Sequence, residues 1–140
     1  MKEVKVLEDW KIKIAALWFF YTMAMLAVMT LMFYGPGIID EIRSGTLVGQ
    51  ALTGEHLLMS ALTLLVPLVM AMLSLTLKDS INRWANIIVG IVISFLSIVS
   101  LIMAFTLDLS IYAFGLLLDI AMVIAPILIV WYAWKSKQKT

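Results

Sequence analysis

Cysteine is absent from the 140 residues, which excludes disulfides, thiolate metal sites and thiol redox chemistry. Charge is scarce as well: 14% of the residues are Asp, Glu, Lys or Arg, while 64% are hydrophobic. A soluble domain of this length has no core large enough to hide that much apolar surface, so the composition points to a membrane protein. Histidine occurs once, at His56, so neither a two-histidine metal site nor a carboxylate–histidine–serine triad can be built around it. There is no glycine-rich phosphate loop and no nucleophile elbow. With no nucleophile–base pair visible, no catalytic residue, cofactor or metal is assigned, and the chain reads as non-enzymatic. Basic residues are few and suit a membrane surface better than a nucleic acid.

What the sequence does hold is four long apolar runs, at 14–34, 57–77, 87–107 and 110–134, each about the length a bilayer core requires. No low-complexity tract or long linker interrupts them, so residues 1–140 read as one domain. The first run follows a mixed-charge segment and lacks a small-residue cleavage pattern, which argues against a cleavable signal peptide. Residues 1–13 read as a solvated lead-in, or as a short interfacial helix with Val4, Leu7 and Trp10 on one side.

Tyr34-Gly35-Pro36-Gly37 ends the first run, because Pro and paired Gly do not continue a helix. In the outer loop, 35–56, Ile38, Ile39 and Ile42 suggest a short amphipathic helix, and Gly45, Gly49 and Gly54 suggest that the remainder is irregular. Pro67 lies mid-span and frees the Thr63 carbonyl. The stretch from Lys78 to Asn86 reads as a polar connection, with Ser80 or Asn82 as a helix cap. Asp108 and Ser110 make a tight turn into the last run.

With four spans, both termini share a side with the Lys78–Arg83 connection. That side carries nine of the ten Lys and Arg residues, leaving Arg43 opposite. The positive-inside rule then places both termini in the cytoplasm of a multi-pass plasma-membrane protein, with Asp108 and the loop after Gly37 outside.

Each run carries a stripe at helical spacing. The last gives Tyr112, Gly115, Asp119, Met122 and Pro126; the first gives Ala15, Trp18, Thr22, Met25, Met29 and Met32. The second gives Ser60, Thr63, Pro67, Ala71 and Ser74; the third gives Gly90, Ser94, Ser97 and Ala104, with Ser100 beside them. In lipid, small and weakly polar residues gather where helices meet. The fold class is therefore all-α: an antiparallel four-helix membrane bundle with a small, polar, Met-lined interior. Pro67 and Pro126 lie at similar distances from the basic ends of their helices, a hint of parallel duplication.

Asp119 stands out, because an intramembrane carboxylate normally faces protein or water. Thr63, Ser97 and Ser100 lie at similar depth, with Thr22 and Met25 near; Asp119, Thr63, Ser97, Ser100 and Thr22, with Tyr112 from the stripe of Asp119, form the candidate functional set. Met25 and Met29 have a spacing that suits Cu(I), but Met is also the ordinary filler of cores. Gly90, Ser94, Ser97 and Gly115 form a candidate packing seam. It suits contacts within the chain, within a homo-oligomer, or with another membrane protein. Two functions follow: an accessory or packing protein of the bilayer, or a small proton- or cation-coupled carrier working through Asp119.

At Glu8-Asp9-Trp10-Lys11, Asn82-Arg83-Trp84-Ala85-Asn86-Ile87 and Trp131-Tyr132-Ala133-Trp134-Lys135, the chain resembles a family of short prokaryotic four-span membrane proteins of unknown function. The likeness runs end to end and includes Pro36-Gly37 and the acidic pair Asp40-Glu41. It implies an acidic residue in the fourth span, which Asp119 matches, and it leaves activity open. Small multidrug exporters also have four spans, but their essential Glu lies in the first, where this chain is uncharged.

Overall fold

A computed structural model describes residues 9–106 and 109–136, with the side chains of 109–114 outside that description. The interfacial reading of Val4 and Leu7 and the turn at Asp108 lie outside the described residues. The described residues form five helices and one hairpin: α1 (Asp9–Met32), α2 (Ile38–Arg43), β1 (Thr46–Leu47), β2 (Gln50–Ala51), α3 (Gly54–Thr76), α4 (Asp79–Thr106) and α5 (Leu109–Lys135). The four long helices are each long and apolar enough to cross a membrane. At 1.5 Å per residue, the 24 residues of α1 and the 28 of α4 reach about 36 and 42 Å, more than the ~30 Å of a hydrocarbon core.

The helices are not equivalent. α1 packs against both α3 and α5, and α5 packs against α4, whereas α3 and α4 touch little. α1 and α5 are thus the two inner helices, and α1, the most buried of the four, buries two adjacent rows, Ile14, Trp18, Tyr21 and Met25 beside Ala15 and Thr22. Met70 of α3, Ile87 and Ile93 of α4, and Ala125, Ile129 and Ala133 of α5 complete the core. The proline-bearing helices α3 and α5 therefore flank α1, with Pro67 and Pro126 both fully buried.

The α4–α5 contact is set by Gly90. A Cβ at that position would lie 2.7 Å from Val130 Cγ2 and 3.5 Å from the Pro126 carbonyl oxygen, so only glycine lets the helices approach this closely.

Two local expectations are corrected. The stretch 78–86 is not a connection, because α4 begins at Asp79 and Asn82 sits inside it. The residues after Arg43 are not irregular either: Thr46 pairs with Ala51 and Leu47 with Gln50 across a two-residue turn. That turn needs positive φ at both central residues, and Val48 (50°) and Gly49 (72°) supply it. Valine is a poor residue for this conformation. It is held there by the Glu41 carboxylate, which accepts the Val48 N–H at 2.7 Å.

Candidate functional site

The interior contains two polar groups. The first joins α1, α3 and α4 near the end that bears Lys78 and Lys135. Asn82 and Asn86 lie one turn apart on α4, so both point to the same side, and both are fully buried together with Ser74 and Trp18. Trp18 Nε1 donates to Asn86 Oδ1 at 2.6 Å, and Ser74 Oγ also approaches that oxygen at 3.1 Å. Asn86 Nδ2 donates to the Asn82 carbonyl at 2.9 Å and to Asn82 Oδ1 at 2.6 Å. Asn82 Nδ2 in turn donates to the Ser74 carbonyl at 2.6 Å. Among the described residues no buried side-chain N or O lacks a partner.

Lys11 closes the same end. Its ammonium pairs with Asp79, the first residue of α4, and donates to the Leu77 carbonyl at 3.2 Å, just past the end of α3. Lys11 thus joins the two helix ends to α1, with its cation at the C-terminal end of α3 and the Asp79 carboxylate at the N-terminal end of α4, the placement that helix-end charges favour.

The second group lies farther along the bundle. The Tyr21 hydroxyl and Ser97 Oγ are 3.1 Å apart, both buried, tying α1 to α4. Asp119 of α5 is half-buried, its carboxylate lies against Gly115, and it is within electrostatic reach of Tyr21. Of the residues matched to Asp119 by depth, Ser97 is therefore in this layer.

The others divide differently. Thr22 is buried, but its hydroxyl returns to the Trp18 carbonyl at 3.0 Å. Thr63 is exposed and bonds the Met59 carbonyl of its own helix at 2.8 Å. Ser100 is exposed on α4. The side chain of Tyr112 lies outside the described residues.

Along the candidate seam, Gly90 and Ser97 are buried, and Ser94 is half-buried with its hydroxyl on the Gly90 carbonyl at 2.7 Å. Gly115 differs in kind, since a Cβ there meets nothing nearer than Asp119 Oδ2 at 3.9 Å and marks no close helix approach. Met25 and Met29 face the core. Asp40 and Glu41 are engaged locally, with Arg43 and with the Val48 N–H.

Of these groups, Ser97 and Asp119 belong to the candidate set; Trp18 and Ser74 were read as stripe residues, Asn82 as a helix cap and Asn86 as part of a connection, and Tyr21 was not singled out. The signal for the asparagines was present: two amides spaced one turn apart, directly before an apolar run.

The arrangement binds helices to one another and leaves one half-buried carboxylate, that of Asp119, on α5. Among the described residues no three His, Asp or Glu side chains converge as a metal site would require. Over residues 1–140 the chain matches the model of a family of unknown function, DUF6326, and it belongs to that family. No curated protein and no solved structure matches it.

Proposed function

Since its family brings no assigned activity, we propose from the side-chain distribution that the chain is a non-enzymatic integral membrane protein. It is a helical-bundle or accessory subunit whose two termini share the cytoplasmic side of the plasma membrane. One observation carries the reading: the molecule is inside out. Ser74, Asn82 and Asn86 are fully buried, while Met72 and Phe95 are 68% and 66% exposed, as are many other large apolar residues. Water would favour the reverse, and lipid favours this arrangement, because polar groups in hydrocarbon must be satisfied by one another. If the reading holds, the chain stays in the membrane pellet after alkaline carbonate washing and enters solution only with detergent. Release by carbonate alone would remove it.

A second reading rests on Asp119. Its half-buried carboxylate lies in the layer of Tyr21 and Ser97, in the helix-packed middle of α5, where an ionisable residue is a functional candidate. In a proton- or cation-coupled carrier, Asp119→Asn would fold and melt as the wild type does, yet abolish pH-dependent flux in proteoliposomes. In a packing protein the same variant changes neither quantity.

A further inference from the structure

On the outer surface of α4 and α5, an apolar groove of about 540 Å³ runs lengthwise between Ile91, Phe95 and Ile98 on one side and Ile127, Trp131 and Trp134 on the other. Its one hydroxyl, that of Ser94, is already spent on the Gly90 carbonyl, so apart from the indole N–H groups of Trp131 and Trp134 the wall is apolar. The groove ends in charge. Lys135 Nζ lies 4.7 Å above the Trp131 ring, and Arg83 lies 5.9 Å above Trp84, two helical turns before Ile91 on the same side of α4. Lys11 and Lys13 are paired with Asp79 and Asp9, whereas among the described residues Lys135 and Arg83 have no carboxylate partner.

We propose that this groove is a binding site for one anionic phospholipid, with an acyl chain against Phe95, Ile98 and Ile127 and the headgroup phosphate at Lys135. The inference rests on the membrane reading above. An apolar channel with tryptophan and an unpaired cation at its mouth matches a lipid in length, polarity and sign at once. A second copy in the same orientation fits poorly, because it would bring Lys and Trp to that level, and the described carboxylates at this end are already paired.

The full chain, purified in mild detergent, is incubated with phosphatidylglycerol or phosphatidylcholine of matched palmitoyl and oleoyl chains, and native mass spectrometry reads the lipid retained. Wild-type protein is expected to retain the phosphatidylglycerol preferentially. Lys135→Ala is expected to reduce that preference about fivefold, the factor equivalent to ~1 kcal/mol for one basic residue at an anionic surface. Ile98→Trp, which fills the groove, is expected to lower retention of both lipids, whereas Leu65→Trp on the exposed side of α3 is not. Equal retention of the two lipids by the wild type, or retention unaffected by Ile98→Trp, would overturn the site. So would a dimer that Ile98→Trp converts to monomer without changing bound lipid, since the groove would then hold a second copy. Solubility of the chain without detergent is a separate result, and it would remove the membrane reading itself.

Discussion

Asn86 is the residue at which most of the interior polar chemistry converges, accepting from Trp18 and Ser74 and donating to Asn82. Asn86→Ala strands the Trp18 donor and an Asn82 oxygen at fully buried positions. The expected loss is about 1–3 kcal/mol, read from thermal unfolding in detergent. Trp18→Phe removes one donor and leaves Asn86 Oδ1 with Ser74, so a loss nearer ~0.6 kcal/mol is expected for that hydrogen bond itself. If Asn86→Ala melted with the wild type, the network would contribute nothing to stability. Gly90 makes an independent test. Gly90→Ala drives a methyl into Val130, whose branched side chain has few rotamers to escape into, and about 1–3 kcal/mol of overpacking is expected. The glycine was legible in the sequence as part of a small-residue seam. The spacing of the asparagines was legible but their burial was not, because a polar pair beside Lys78 and Asp79 resembles a solvated turn until Trp18, distant in sequence, is known to face it.

Among the elements, α1 is the most buried, and its Lys11 joins it to the α3–α4 turn. Lys11→Ala is expected to lower stability by about 1–2 kcal/mol and to speed amide exchange around Leu77 and Asn82 while leaving the α2–hairpin region unchanged. Uniform exchange across the molecule would show that the cation holds no particular junction. The number and order of the long helices could be read from apolar run length alone, and so could the short helix at Ile38–Arg43. The start of α4 could not, since its first two turns are polar and draw their partners from α1 and α3. The hairpin was hidden for a similar reason. Its turn uses valine where glycine or asparagine is the usual signal, and the compensating hydrogen bond comes from Glu41, outside the turn.

For the molecule as a whole, the inside-out distribution of polarity among the described residues is what the proposed membrane reading rests on. Four stripes at helical spacing gave the bundle, but which helices touch depends on packing, and the deep burial of α1 has no sequence signature. Asp119 was legible as the one carboxylate deep in an apolar run, and Ser97 as its neighbour by depth. Thr63 and Ser100 share that depth and yet face outward, because depth fixes height along a helix and not direction around it. The most direct measurement places a single cysteine in the cysteine-free chain at Gln50, Lys78 or Phe95 and treats intact cells with a membrane-impermeant maleimide. Gln50→Cys is expected to react at once, Lys78→Cys only after permeabilisation, and Phe95→Cys in neither condition. Exchange of the first two outcomes would invert the orientation alone. Ready labelling of Phe95→Cys would put the apolar surface of α4 in water and contradict the inside-out bundle.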